Sequence, residues 1–209
     1  DLAAYYTRNE GYVVSSAIDK FAYVIVKERF DDEIYLNYMR KEIRSDVASI
    51  EHGLIREAMR MAGIERGTEV TLLSDIPSEG SGLGSSSSFT VGLLNAFYAY
   101  RGEQVTAERL ASEACEIEIE RRGKPIGKQD QYIAAYGGVH EFTYRADDTV
   151  GSRRIAMTSA DMRRLGDELM LFFTDITRSS SAILTSQKSN TVTNIEYLRQ
   201  IKNCVPQVI

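Results

Sequence analysis

Asp75-Ile76-Pro77-Ser78-Glu79-Gly80-Ser81-Gly82-Leu83-Gly84-Ser85-Ser86-Ser87-Ser88 separates two hydrophobic elements of different period. Before it, the run Val70-Thr71-Leu72-Leu73 reads as a strand. After it, Phe89, Leu93 and Phe97 recur at i, i+4 and i+8, the helical repeat. Gly80, Gly82 and Gly84 let the backbone turn tightly and approach a ligand closely. Ser85 to Ser88 fall where the helix begins. There the first amides lack intrahelical acceptors and the macrodipole is positive, so an anion is favoured. The serine hydroxyls add donors and can face a magnesium ion. The order strand, Gly/Ser loop, helix therefore predicts a phosphate-holding loop. A flexible Gly/Ser linker is the plain alternative, disfavoured because a hydrophobic element abuts each end.

Two familiar phosphate loops do not fit. A Walker A loop ends in Gly-Lys-Ser/Thr, and no lysine follows these glycines. A dinucleotide fingerprint is spaced G-x-G-x-x-G, whereas here it is G-x-G-x-G.

Composition bounds the class. The 209 residues are 43% hydrophobic and 26% charged with a formal charge of -5, an ordinary globular balance that argues against a general nucleic-acid binder. No apolar run approaches the roughly 18 residues a membrane helix needs, and no signal peptide is visible. Cys115 and Cys204 make no metal or disulfide framework and read as reduced thiols, which predicts a cytoplasmic protein.

Strands are predicted at Val13-Val14, over Phe21 to Val26, and over Ile34 to Tyr38. Val47, Ile50, Leu54, Ala58 and Met61 predict an amphipathic helix over about 46–62, stopped near Gly63. His52 and His140 are assigned no chemistry. Beyond the central loop and helix, Thr106 is a predicted N-cap for a helix running to about Arg121. This helix carries Glu108, Glu113, Glu116, Glu118 and Glu120. At about 100° per residue, four of them fall off the apolar face, as solvated glutamates do. Glu118 falls in the middle of the face formed by Ala107, Leu110, Ala111 and Ala114. An inward carboxylate needs a cation or a metal, or it costs several kcal/mol.

Next, Pro125 and Gly127 predict a turn, and Gln131 to Tyr136 a short helix stopped by Gly137-Gly138. Asp130 stands at that helix's start, where on its own it would be a cap. A strand follows over Val139 to Tyr144, a polar turn over Arg145 to Gly151, and a short returning strand at Ile155-Ala156-Met157. A short helix or turn is expected over Asp161 to Leu165. Leu169-Met170-Leu171-Phe172-Phe173 predicts a buried strand delivering Thr174 to Ser181. A strand end with Thr, Arg and Ser suits an anionic substrate, although Arg178 could equally be a surface residue beside a capped helix. That helix contains Ile183 and Leu184. A last amphipathic helix carries Val192, Ile195, Leu198 and Ile201.

Pro77 with Gly82-Leu83-Gly84-Ser85-Ser86 resembles the second motif of the GHMP kinases, the family of galactokinase, homoserine kinase and mevalonate kinase. In the galactokinase branch a catalytic aspartate sits in a Met-Asp-Gln-Phe setting three residues after a glycine, matched here by Gly127, Asp130, Gln131 and Tyr132. Its magnesium-binding glutamate lies twelve residues earlier. The same count from Asp130 arrives at Glu118, which the helical wheel singles out independently. Residues 75–94, 127–132 and 174–178 narrow the resemblance to the D-glycero-D-manno-heptose 7-phosphate kinase group within the family. It runs over nearly the whole chain.

The resemblance implies an α+β GHMP kinase fold with a left-handed β-α-β N-terminal domain and a ferredoxin-like C-terminal domain. Residues 1–165 would be the first domain and 166–209 an incomplete second. Asp1-Leu2 resembles the end of the first family motif, so upstream residues are expected to be missing, and the third motif would lie past Ile209. The implied cofactors are ATP and Mg2+. Gly80, Ser81, Gly82, Leu83, Gly84, Ser85, Ser86 and Ser87 would hold the ATP phosphates, Ser86 and Glu118 the metal, and Asp130 would be the catalytic base. Asp1 would contact sugar hydroxyls, and Arg178, Lys128 or Lys124 the phosphate already on the acceptor.

The reaction so implied is phosphoryl transfer to the anomeric hydroxyl of a heptose 7-phosphate. A kinase for fucose, galactose or another small alcohol remains an alternative, as does a non-catalytic nucleotide- or sugar-binding piece of the same fold. The expected partner is a small sugar or sugar phosphate, with neither nucleic acid nor membrane, and a homodimer is admitted as an assembly.

Overall fold

The computed structural model describes residues 1–76, 82–172 and 180–208, the side chains of 180–183, 188 and 208 excepted. The chain forms two compact units, residues 1–17 with 137–209, and residues 18–136. Strands and helices are mixed in both, the α+β class expected.

The described residues form seven strands and eight α-helices. In chain order they are α1 (Ala3–Tyr6), β1 (Gly11–Ser16), β2 (Ala22–Glu28), β3 (Ile34–Asn37), β4 (Lys41–Arg44), α2 (Gly53–Ala62), β5 (Thr68–Ser74), α3 (Ser85–Tyr100), α4 (Ala107–Cys115), α5 (Gln129–Tyr136), β6 (Val139–Tyr144), β7 (Val150–Arg154), α6 (Ser159–Asp167), α7 (Ser180–Ser189) and α8 (Ile195–Val208).

In the unit of residues 18–136 the strand order is β2-β5-β3-β4. β2 runs antiparallel to β5, β5 parallel to β3, and β3 antiparallel to β4. The parallel β3–β5 pair needs a crossover, and the connection carries α2. Ile34, Leu36, Val70 and Leu72 point from the sheet into the core, while Tyr23, Ile25 and Leu73 on the opposite face are exposed. α2 meets the core with Leu54, Ile55, Ala58, Met59 and Ala62. It is shorter than the helix expected over 46–62. A 3-10 turn, Val47–Ser49, comes first, and His52 caps the true start, its Nδ1 accepting the Ile55 N–H at 3.4 Å. The apolar spacing runs through the break because both pieces face the same core.

α3 is the central helix. Phe89, Leu93, Leu94, Phe97 and Tyr98 are all buried, each burial contributing about 1.5–3 kcal/mol. Gly92 lets it settle on β2, since a Cβ there would lie 3.0 Å from Val24 Cγ2. Thr106 caps α4 as expected, accepting the Arg109 N–H at 3.2 Å. The helix does not stay α-helical to Arg121. Residues Glu116–Arg121 form a π-helical segment, a widening frequent at functional sites.

The other unit contains the antiparallel sheet β1-β6-β7. β7 is the returning strand, but it lies at Val150–Arg154, not at Ile155-Ala156-Met157. The turn decides this: Asp148, with φ of 69°, reverses the chain so that Tyr144 pairs with Val150 and His140 with Arg154. β4, with its polar sequence Lys-Glu-Ile-Arg, and the short α1 also escape periodicity. The buried strand expected from Leu169 is not formed over its described residues. Leu169, Met170, Leu171 and Phe172 are 65–81% exposed and carry no strand structure. An apolar run signals a need for burial but does not supply a partner strand, and none pairs with it among the described residues. Phe173 and Thr174–Ser179 lie outside those residues. Neither cysteine is in a disulfide. No helix among the described residues is long and apolar enough to cross a membrane.

Candidate active site

Four segments of the 18–136 unit converge: the start of α3, the π-helical segment after α4, the turn that follows it, and the start of α5. Gly84, with φ of +71°, turns the loop into α3. The first α-helical bond of α3 joins the Ser88 N–H to the Gly84 carbonyl at 2.9 Å, so the amides of Ser85, Ser86 and Ser87 lie in the first turn, at the positive end of the helix.

Glu118 is fully buried. Its Oε1 accepts from Ser86 Oγ at 2.8 Å and from Lys124 Nζ at 3.0 Å. Its Oε2 accepts from Ser87 Oγ at 2.7 Å and from Gln131 Nε2 at 2.7 Å. Each carboxylate oxygen thus accepts two hydrogen bonds, and one of the four donors is a cation. That removes the penalty an isolated buried charge would carry. The inward placement read from the helical wheel is observed, and it survives the change from α to π geometry.

Asp130 lies at the rim, exposed, on the first turn of α5. Its carboxyl packs on Gly84: a Cβ there would fall 3.2 Å from Asp130 Cγ and 3.3 Å from Oδ2. Among the described residues none donates a hydrogen bond to this carboxyl. Partial desolvation, and then the negative charge of Glu118, push its pKa above the ordinary aspartate value. A raised pKa in a carboxyl beside a helix N-terminus suits proton transfer.

The structure therefore brings Gly84, Ser85, Ser86, Ser87, Glu118 and Asp130 together, with Gly82 and Leu83 on the approach to α3. Gly80, Ser81 and Arg178 lie outside the described residues. Lys128 directly precedes α5, its carbonyl accepting the Tyr132 N–H at 3.3 Å. Asp1 belongs to the other compact unit, near Gly11.

Three contributions were not legible beforehand. Lys124, expected toward a substrate phosphate, is on Glu118 and also 3.3 Å from Ser86 Oγ. Gln131, whose only signal was its place in the Asp-Gln-Tyr motif, orients Glu118. The Ser87 hydroxyl is buried against Glu118, which leaves its backbone amide for any anion.

Glu118 Oε1 and Ser86 Oγ are hard oxygen donors converging on one cation, at present the Lys124 ammonium. This donor set fits magnesium, which takes one or two carboxylates and completes its shell with water and substrate phosphates. Among the described residues no three His, Cys, Asp or Glu side chains form a metal cage, so a dedicated all-protein site is not the arrangement here.

Residues 41–138 match the family model for the GHMP kinases N terminal domain. The chain is 28% identical over 203 residues to a D-glycero-alpha-D-manno-heptose 7-phosphate kinase of Campylobacter jejuni, covering 90% of this chain and 59% of that protein. A D-glycero-D-manno-heptose 1-phosphate kinase of Bacteroides thetaiotaomicron superimposes with a TM-score of 0.75 at 25% identity, over 95% of this chain and 67% of that one. The mevalonate kinase of Methanococcus jannaschii shares the fold, with a TM-score of 0.57 at 23% identity over 70% of this chain and 50% of its own. Residues 41–138, with Glu118 among them and Asp130 near their end, are thus similar to a GHMP kinase N-terminal domain, and the chain spans about three fifths of the length of the curated relative it matches.

Proposed function

We propose that this chain is the nucleotide-binding and catalytic part of an ATP-dependent sugar kinase that phosphorylates the anomeric hydroxyl of a heptose 7-phosphate. The observation that carries the reading is the meeting of the α3 N-terminus, the buried Glu118 and the Gly84-packed Asp130 in one place. The similarity to a heptose 7-phosphate kinase supports the choice of acceptor. In this reading residues 1–165 are the N-terminal domain and 166–209 open the C-terminal one.

The amides and hydroxyls from Gly80 to Ser87 hold the ATP phosphates. Glu118 and Ser86 would hold magnesium, which when bound neutralises charge on the β- and γ-phosphates. Phosphoryl transfer has a loose transition state, so positioning and electrostatics supply most of the acceleration. Asp130 orients the acceptor hydroxyl. Its oxygen bonds to the γ-phosphorus as the bond to the β-γ bridging oxygen breaks, ADP departs, and the hydroxyl proton passes to Asp130. The proton leaves late, so a carboxylate of modest basicity suffices. Asp1 contacts sugar hydroxyls, and Lys128 and Arg178 the phosphate already present.

The name of the Bacteroides relative favours a second acceptor, a heptose 1-phosphate. One experiment separates these: the full chain is incubated with Mg2+, ATP and each of heptose 7-phosphate, heptose 1-phosphate, galactose and fucose, and followed by ADP release and phosphorus NMR. The reading requires a new anomeric phosphate on the 7-phosphate alone. A heptose 1-phosphate already carries its phosphate at that position and should be inert. Turnover of galactose or fucose in preference, or nucleotide binding without turnover of any acceptor, overturns the assignment.

A further inference from the structure

Lys124 has a place that the kinase reading leaves unexplained. Its ammonium lies 3.0 Å from Glu118 Oε1 and 3.3 Å from Ser86 Oγ. These are the two oxygens assigned above to a divalent cation. Two cations cannot share them, because like charges at contact distance in a partly buried site repel strongly. Lys124 is not locked in. Its side chain is 25% exposed, whereas Glu118 is 0% exposed. A four-carbon stem that already reaches solvent can swing outward while the glutamate stays.

We propose that Lys124 is the built-in counter-ion of Glu118: it neutralises the buried carboxylate when no metal is bound, and it is displaced when a divalent cation is taken up. Lys124 is then a positioning residue with two consequences. It balances the charge of Glu118 and keeps the carboxylate aimed between binding events. It also competes with the metal, so that a bare cation is held weakly and the site favours a cation arriving with the phosphates of its nucleotide. The released ammonium is left beside the same phosphates. This inference rests on the metal role given to Glu118 and Ser86, and the experiment separates the two.

Mn2+ serves as the probe, its binding to the full chain measured without nucleotide by calorimetry and by the loss of its free-ion EPR signal. Wild type, Lys124→Met and Glu118→Gln are compared, with thermal unfolding of each recorded with and without Mn2+. Lys124→Met is expected to bind Mn2+ about tenfold more tightly than wild type. Without metal it should unfold at lower temperature, and saturating Mn2+ should close that gap. A merely structural lysine would leave a gap that metal does not close. In wild type, Mn2+ should raise amine-reactive labelling of Lys124, read by peptide mass spectrometry, at least about twofold. This last measurement decides the matter even if Lys124→Met does not fold. If wild type binds Mn2+ and Glu118→Gln does not, while Lys124→Met binds no more tightly and labelling is unchanged, the counter-ion proposal fails and the metal role stands. If neither wild type nor Lys124→Met binds Mn2+, or if Glu118→Gln binds it as tightly as wild type, the metal role fails and the proposal falls with it.

Discussion

A Cβ placed on Gly84 would stand 3.2 Å from Cγ of Asp130, so the turn into α3 and the candidate base are packed against each other without room for a methyl group. Gly84 also has φ of +71°, and Gly82 shares that conformation at +70° with nothing among the described residues within 4 Å of its Cβ position. Gly82→Ala should therefore carry only the backbone penalty, about 1–2 kcal/mol. Gly84→Ala carries that penalty and displaces Asp130. Unfolding temperature and turnover measured side by side should show a similar backbone loss in both variants and a much larger fall in turnover, about 100-fold or more, in Gly84→Ala alone. Equal turnover in the two would show that the contact with Asp130 has no consequence.

Glu118→Gln keeps the volume but removes the charge that Ser86, Ser87, Lys124 and Gln131 all address. The new amide group would face donors, and Lys124 would lose its partner. A loss of about 2–4 kcal/mol is expected in denaturant unfolding, with an increased magnesium requirement for turnover. Unchanged stability would mean that the four hydrogen bonds to the carboxylate do not support the fold.

For Asp130 stability and activity should move in opposite directions. Its pKa is raised in the fold, so the protonated form is the one the fold favours. That contribution is complete below the unfolded-state pKa and is lost as pH rises through the higher folded value. At neutral pH the carboxylate is therefore a cost, through partial desolvation and the charge of Glu118. Asp130→Asn should raise the unfolding temperature at neutral pH by about a degree or two, with the gain fading toward acid. Its turnover should fall by about 10²–10⁴ with little change in ATP affinity. An unfolding temperature lower than wild type at neutral pH would contradict the electrostatic assignment.

Ser86 and Ser87 are neighbours with different expected phenotypes. The Ser87 hydroxyl is buried and donates to Glu118, so Ser87→Ala should cost about 1–2 kcal/mol of stability and leave the magnesium requirement near wild type. Ser86 is half-buried and lies on the cation side, beside Lys124 Nζ. Ser86→Ala should cost less stability and raise the magnesium concentration needed for half-maximal turnover. A magnesium titration of both variants checks the order, and a reversal would exchange their roles.

Much of the architecture was readable from local pattern. The α2 stripe, the Thr106 cap, the α3 repeat and the strands β2, β3, β5 and β6 each announce themselves through period, turn chemistry or β-branched composition. The misreadings share one cause. β7 is polar and exists because β6 pairs with it across a turn set by Asp148. Leu169 to Phe172 are apolar without a strand partner among the described residues. In both cases the deciding interaction lies outside the residues that carry the pattern.

The candidate site divides along the same line. Glu118 could be placed inward because helical spacing relates residues one turn apart, and the Gly/Ser loop could be read because an open helix end needs only its own backbone to attract an anion. Both properties are local, so the linear chain determines them. That Ser86 and Ser87 meet Glu118, that Lys124 turns back onto the same carboxylate past Gly123, and that Asp130 rests on Gly84 depend on how α3, the π-helical segment and α5 pack together. Apart from the Lys124–Glu118 pair, which is six residues apart, these contacts span 31 to 46 residues and are selected by the shape of the shared core, and only the tertiary structure holds that information.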